Sequence, residues 1–298
     1  MFINEFLNHY KFMDKSENTI TNYRSDLNQF YELMFLDDEK LKELKVEDAM
    51  IYIDILKNKG MGNRSINRKL STVSAFCSYL YTKEYIGDNV FKKIGKLSVD
   101  SNEPKYLEKE EAKIFLNLAK EKVEKSSPIK RWLKLRDLLI VEIFLSVGIR
   151  AFEMEALTIR DIELEGKHRG RITVRKGKGN KKRCAYLNSE VVETYEKWLY
   201  ERKIKNIQCE ELFVSLNGTK LCKRQIQNII SNLADELGFD ITAHGLRHTY
   251  ATLCLENNAE LKSLSKSLGH SSTAITESVY IHATDKDLKD CRDSNPLF

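Results

Sequence analysis

The segment His244-Gly-Leu-Arg247-His248 carries two histidines four residues apart, with an arginine between them. Histidines at this spacing on a helix could bind zinc, but a zinc site needs further ligands and Arg247 would repel a cation. A phosphate suits the segment better, because a guanidinium donates to two phosphate oxygens and histidine transfers protons near neutral pH. The segment therefore favours phosphate chemistry, and we expect neither a metal nor another cofactor.

Four other positions could contribute to such a site. Arg150 comes at a predicted helix start with Glu153 three residues on, Lys178 lies in a basic segment, and His270 follows a glycine. Tyr280 stands ten residues further along the chain. Each of the four also has a purely structural interpretation. Arg150 could form an intrahelical pair with Glu153, Lys178 could be a solvated lysine, and His270 and Tyr280 could have only packing roles. No one of these residues assigns a function when taken alone.

The basic segment between Lys167 and Arg183 contains nine Lys/Arg and no Asp/Glu, although the net charge of the chain is only +5. This density suits a polyanion, and a solvated basic loop is the alternative. A second basic group lies beside the apolar stripe of a predicted N-terminal helix. The candidate DNA-binding residues are Arg64, Arg68, Lys69, Arg175, Lys176, Lys181, Lys182 and Arg183.

The first hundred residues predict a small bundle of four helices. Apolar residues recur every three or four positions over residues 20–34 and 66–80, which is typical of one helix face. Residues 2–12 and 46–56 are the other two predicted helices, and Ser16 is a predicted N-cap. Lys69 and its arginine neighbours are expected to lie off the apolar face.

The rest of the chain predicts a second, mainly helical domain with a small β-sheet. Periodicity is lost around Pro104, so we predict an N-terminal domain over residues 1–97, a linker over 98–105 and a second domain over 106–298. Helices are predicted at 107 onwards, at 128–147 with Gly148 as a stop, and from 189 onwards. Strands are predicted at 171–175 and 183–187, with a third near 159–164. The predicted fold class is α+β, mainly α.

The order of these residues resembles the active-site set of the tyrosine recombinase (integrase) family. The matching residues are Arg150, Lys178, His244, Arg247, His270 and Tyr280. The segments GIRAFEMEALTIRDI, GKGNKKR, HGLRHTYAT, LGHSS and VYIH are similar to the motifs of that family. SENTITNYRSDLNQF and SINRKLSTVSAFCSYL resemble the SAM-like core-binding domain of Xer-type members. Ala151-Phe152 departs from the small aliphatic and serine-like pair that is usual before the acidic residue.

The resemblance implies a chemistry for these side chains. Tyr280 would attack a DNA phosphate and form a 3′-phosphotyrosyl link, and Lys178 would protonate the leaving 5′-oxygen. Arg150 and Arg247 would stabilise charge on the non-bridging oxygens, with His244 and His270 as donors or proton carriers and Glu153 orienting a catalytic neighbour. Strand exchange then needs neither metal nor ATP, and the chain has no GxxxxGK[ST] motif.

The resemblance also implies partners. The expected partner is double-stranded DNA with a specific recombination site, bound by a homotetramer or together with a related recombinase. No apolar run reaches the roughly 20 residues of a membrane span, and the six cysteines form no CxxC pair, so we expect a cytoplasmic, nucleoid-associated protein. Chromosome-dimer resolution and mobile-element integration or excision both remain open. So do two other classes, a DNA-binding protein without catalysis and a type IB topoisomerase.

Overall fold

The computed structural model describes residues 1–99, 105–166, 168–175 and 182–269. The chain divides into two compact units, Met1–Asn102 and Glu103–Phe298. The predicted positions Lys176, Lys178, Lys181, His270 and Tyr280 lie outside the described residues.

The N-terminal unit has the four predicted helices. They are α1 (Phe2–Phe12), α2 (Glu17–Leu33), α3 (Val46–Asn58) and α4 (Asn63–Thr82), with short 3-10 helices at Lys40–Glu43 and Val90–Lys92. The predicted N-cap is confirmed, because the backbone N–H of Thr19 donates to Ser16 Oγ at 3.2 Å. Phe6, Phe30 and Phe76 are fully buried in the core of this unit.

A buried carboxylate joins α2 to α4. Asp26 is 2% exposed and accepts hydrogen bonds from Arg68, from Lys69 Nζ at 2.9 Å and from Thr72 Oγ1 at 3.1 Å. Burial alone would raise the pKa of Asp26, but the hydrogen bonds from Lys69 and Arg68 lower it overall. Lys69 is therefore buried, and its expected place off the apolar face is wrong, because its ammonium pairs with Asp26.

The C-terminal unit is built around a long buried helix. Its helices are α5 (Lys109–Glu124), α6 (Pro128–Val147), α7 (Ala151–Glu155), α8 (Ser189–Ile204), α9 (Lys223–Leu237), α10 (Ala243–Glu256) and α11 (Leu261–Leu268). Helix α6 packs against α5, α8 and α10, and it is apolar on most sides, as a central helix must be. Among the described residues, none of the helices combines the length and hydrophobicity that a membrane span requires.

A three-stranded antiparallel sheet completes this unit. Its strands β1 (Ile162–Leu164), β2 (Gly170–Val174) and β3 (Arg183–Leu187) lie side by side in sequence order, and Val174 pairs with Arg183. The predicted third strand is shorter than expected, because Ile159–Asp161 forms a 3-10 helix. Asp161 causes this by accepting hydrogen bonds from the backbone N–H and the hydroxyl of Thr158, both at 2.8 Å.

Gly148 ends α6 as predicted and brings three helices together. Its φ of +61° is in the left-handed region, and a Cβ at this position would lie 2.3 Å from the Tyr250 ring and 2.8 Å from the Leu268 side chain. No other residue type fits both the backbone conformation and the space. The end of α6 therefore meets α10 and α11 closely, and this junction positions the site described next.

Candidate active site

Arg150 stands directly before α7, two residues after the glycine that ends α6. Its backbone N–H donates to Glu153 Oε2 at 2.8 Å, and its Nη1 donates to Glu153 Oε1 at 3.1 Å. Its Nη2 lies 3.4 Å from the carbonyl oxygen of Gly269, at the end of α11. The helix start thus fixes both the backbone and the guanidinium of Arg150.

Glu153 is the single carboxylate at the centre of this cluster in the described residues. Its side chain is fully buried, and Arg183 donates to both of its oxygens at 2.7 Å each. Burial by itself would raise the pKa of Glu153, but the hydrogen bonds from Arg183 and from the Arg150 backbone lower it overall. The carboxylate is therefore ionised at neutral pH and orients two arginines.

Arg247 is a third guanidinium beside these two, and it is 3% exposed. It projects from α10 and donates to two backbone carbonyls, that of Gly148 and that of Leu268, the latter at 2.7 Å. Within the described part of the chain it forms no ion pair with a carboxylate. Burial and then the nearby Arg150 lower the pKa of Arg247 to about 9, so it remains charged at neutral pH.

His244 and His248 lie one helical turn apart on α10 and contact each other. Their Nε2 atoms are 3.1 Å apart and the ring planes are inclined at 79°. Burial lowers the pKa of both, and Arg247 lowers both further; for His248 the pKa is about 4. Both rings are thus neutral at pH 7, with one ring donating to the other. No cluster of three metal-binding side chains occurs in the described ranges.

Comparison with known proteins identifies this arrangement. Residues 105–287 match the model of the phage integrase family, and residues 3–84 match that of the phage integrase N-terminal SAM-like domain. The chain is 32% identical to "Tyrosine recombinase XerC" of Thermodesulfovibrio yellowstonii, over 99% of this chain and 96% of that protein. The chain belongs to the phage integrase family. The resemblance found in the sequence is thereby confirmed.

Other members of the phage integrase family agree over almost the whole chain. A XerC recombinase of Leptospira interrogans is 29% identical over 96% of this chain and 90% of its own length. The crystal structure of the XerH recombinase in a post-cleavage complex with its difH substrate has a TM-score of 0.73. It is 21% identical and covers 98% of this chain and 94% of the XerH chain. This neighbour supports the integrase fold with its helical N-terminal and mixed C-terminal units.

The structure brings together four of the residues that the family motifs single out, Arg150, Glu153, His244 and Arg247. His244 belongs to the group because the charges of Arg247 and Arg150 both act on it. Two further residues of this cluster, Gly269 and Arg183, lie next to stretches of the chain that the structure does not describe. Gly269, which precedes His270, accepts from Arg150 as described above. Arg183, which ends the basic hairpin segment, binds Glu153.

The predicted DNA-binding residues that the structure describes differ in exposure and in their partners. Arg64 and Lys182 are exposed, while Arg68 and Arg175 are more than half exposed and pair with Asp26 and Asp161. Arg183 differs from the expectation of a DNA contact, because its side chain is only 8% exposed and both its terminal nitrogens bind Glu153. Strand alternation could have indicated this, since Arg183, Ala185 and Leu187 share one face of β3 and the latter two are buried.

Proposed function

We propose that the chain is a site-specific DNA recombinase that attaches itself to DNA through Tyr280. The hydroxyl of Tyr280 attacks a DNA phosphorus, the bond to the 5′-oxygen breaks, and a 3′-phosphotyrosyl link forms. A 5′-hydroxyl from a second strand then attacks this link and releases the tyrosine. One phosphoester replaces another in each step, so rejoining needs no ATP.

The observation that carries this proposal is the charge of the arginine cluster. Three guanidiniums, those of Arg150, Arg183 and Arg247, lie around one carboxylate, and Glu153 gives its two-point contact to Arg183. Arg247 is held only by backbone carbonyls. Phosphoryl transfer places negative charge on the non-bridging oxygens of the transition state. A preorganised positive site of this kind is suited to that charge.

Each remaining group has a defined task in the proposed mechanism. Arg150 and Arg247 bind the non-bridging oxygens, and His244 donates to the same phosphate or carries a proton. His270 likewise donates to the phosphate or carries a proton. The contact of its neighbour Gly269 with Arg150 supports this role. Lys178 protonates the leaving 5′-oxygen. The contact of Arg183 with Glu153 supports this role, because it places the end of the basic segment that contains Lys178 beside the arginine cluster. These roles for His270 and Lys178 rest on the family motifs and on their sequence neighbours.

The proposed substrate is duplex DNA with a specific recombination site. The XerH recombinase supports it, since its structure is a complex with a palindromic difH substrate. Exposed cations such as Arg64 and Lys182 would contact phosphates, which give most of the affinity and its salt dependence. We infer a homotetramer, or an assembly with a related recombinase, acting in the cytoplasm on the nucleoid. The reaction serves chromosome-dimer resolution or the integration and excision of a mobile element.

The test uses a nicked suicide substrate, from which the strand downstream of the cut diffuses away. The target site is first found by footprinting genomic fragments. Wild-type protein is expected to give a denaturation-resistant protein–DNA band in excess chelator at constant ionic strength. Tyr280→Phe should bind the DNA as tightly as wild type but give no such band.

Tyr250→Phe is the matched control, because Tyr250 packs against Gly148 beside the cluster. Burial raises the pKa of Tyr250, which makes it a poorer nucleophile. The control protein should still form the band. A band from Tyr280→Phe that disappears in the Tyr250→Phe protein would assign the nucleophile to Tyr250 and overturn the proposal.

A further inference from the structure

A cavity in the C-terminal unit is lined by none of the residues of the arginine cluster. It has a volume of about 600 Å³ and lies between α5, α6 and α8. This size is within the range of small-molecule sites in proteins. Its walls combine apolar residues, among them Val123, Leu135 and Leu138, with an excess of glutamates. Nothing in the recombination mechanism accounts for this combination.

Glu142 of α6 is a buried carboxylate in the wall of this cavity. It is 4% exposed, and its Oε1 accepts a hydrogen bond from Thr194 Oγ1 of α8 at 3.1 Å. Its Oε2 is buried without a hydrogen-bond partner in the described part of the protein. Burial raises the pKa of Glu142 to about 7, although Thr194 lowers it in part. A buried carboxylate oxygen without a donor is costly, and a bound cation would remove that cost.

The charges around the cavity favour a positively charged ligand. Two lysines are already neutralised, Lys120 by Glu190 at 3.0 Å and Lys197 by Glu193 at 2.6 Å. The other charged lining residues, apart from Glu142, form no ion pair within the described ranges; they are Glu124, Glu196, Glu201 and Arg131. Three glutamates against one arginine leave the rim negative, in addition to the carboxylate in the wall.

The spacing of the carboxylates argues against a metal ion as the occupant. In the described ranges no three metal-binding side chains come close enough to hold one ion. The glutamates share the lining of the cavity with the apolar side chains of Leu135 and Leu138. Several negative charges that do not cluster, together with apolar surface in the same cavity, match a chain of methylenes that carries several ammonium groups.

We propose that this cavity binds a linear aliphatic polyamine. One ammonium pairs with the Glu142 carboxylate, the methylenes cover Leu135 and Leu138, and a second ammonium pairs with the glutamates of the rim. The proposal is independent of DNA cleavage, and its test therefore contains no DNA.

The test is isothermal titration calorimetry of the full-length protein with spermidine at constant ionic strength. We expect one saturable site, and much weaker binding of butylamine, which has only one ammonium group. Glu142→Gln keeps the acceptor for Thr194 but removes the charge, and it should weaken spermidine binding by about tenfold or more. Glu201→Gln, on the rim, should weaken it less. Glu17→Gln, in the N-terminal unit, is the matched control and should leave binding unchanged.

Three results would overturn the proposal. The first is no saturable binding of spermidine to wild-type protein. The second is equal binding by Glu142→Gln, shown by circular dichroism to be folded. The third is displacement of spermidine by magnesium at matched ionic strength, which would indicate general attraction of cations rather than a polyamine site.

Discussion

Two buried carboxylates, Asp26 in the N-terminal unit and Glu153 in the C-terminal unit, each bind two cations. Asp26 joins α2 to α4 through Arg68 and Lys69, and no other cation of the described residues pairs with it. Glu153 binds Arg150 and Arg183 in a similar way. The difference is Arg247, a third and buried guanidinium that is held by carbonyls rather than by a carboxylate.

This difference separates a structural ion pair from a site that is prepared for a substrate. At Asp26 the buried ammonium of Lys69 pairs with the carboxylate and Arg68 is more than half exposed to solvent, so the cluster contributes to folding. Around Glu153 positive charge remains, and it is costly in the free protein because like charges are held together in a buried place. The lowered pKa of Arg247 reflects this cost. A DNA phosphate would lower this electrostatic cost, because its negative charge would lie among the three guanidiniums. The cluster therefore favours binding of a phosphate.

The largest expected effect follows from Arg247→Ala. Covalent-complex formation should fall on the order of 10²–10³-fold, because a preorganised donor to the transition state is lost. The free energy of unfolding should fall by no more than about 1–3 kcal/mol, because removal of a buried charge offsets part of the loss of its hydrogen bonds to the carbonyls of Gly148 and Leu268. Suicide-substrate kinetics and urea unfolding measure the two quantities. If Arg247→Ala lost activity only because it unfolds, Arg247 would have a structural role like that of the Asp26 cluster, which would contradict the proposed difference between the two clusters.

Asp26→Ala should give the opposite result. It leaves the buried Lys69 ammonium without a partner, so the N-terminal unit should lose about 3–5 kcal/mol of stability. The cleavage rate of the remaining folded protein should change little once the DNA is saturated. Hydrogen exchange of α2 and α4 measures the stability loss. Asp54→Ala removes an exposed carboxylate of α3 and is the control, for which no change is expected.

Arg183 and Lys182 are neighbours that should behave differently. Arg183→Ala leaves Glu153 without its two-point partner, so it should reduce stability by about 1–3 kcal/mol and slow cleavage. Its effect on the salt dependence of DNA binding should be small, because the side chain is buried. Lys182→Ala should instead lower the slope of log K against log salt by about one. Fluorescence anisotropy at several salt concentrations distinguishes them, and equal slopes would contradict the placement of Arg183.

The smallest expected effect concerns pH. His248 is neutral in the folded protein down to a pKa of about 4, whereas an unfolded histidine titrates near 6.5. Between these values the unfolded state binds more protons, so His248 by itself should destabilise the C-terminal unit by about 1–2 kcal/mol as pH falls from 7.5 to 5. Glu142 acts in the opposite direction over this range, because burial raises its pKa to about 7, so the contribution of His248 is the difference between wild type and His248→Gln. The lowered pKa of Asp26 has an effect only below about pH 4, so the N-terminal unit should remain stable over this range.

Tryptophan fluorescence during urea unfolding measures this loss in one unit, because the only tryptophans, Trp132 and Trp198, are both in the C-terminal unit. Between pH 7.5 and pH 5, the free energy of unfolding of His248→Gln should rise by about 1–2 kcal/mol relative to wild type, and that of His9→Gln in the N-terminal unit should not. An unchanged profile in His248→Gln would assign the pH dependence to another group.

The sequence predicted what local patterns determine. Apolar periodicity placed the helices, Ser16 and Gly148 marked a helix start and a helix end, and motif spacing singled out Arg150 and Arg247. It did not predict the partners of Lys69 and Arg183, because these partners come from distant parts of the chain. Asp26 lies 43 residues from Lys69, and Glu153 lies 30 residues from Arg183. A long basic side chain looks the same in sequence whether it ends in water or on a buried carboxylate.

The central claim is that the unpaired charge of Arg247 stabilises negative charge on the phosphate during cleavage. The most direct measurement compares wild type and Arg247→Ala on a suicide substrate whose scissile phosphate is replaced by a neutral methylphosphonate. Because this group lacks the negative charge, the variant should cleave it at a rate within about tenfold of wild type, while remaining on the order of 10²–10³-fold slower on the normal phosphate. An equally large defect on both substrates would contradict the claim, since Arg247 would then act through position or folding rather than through charge.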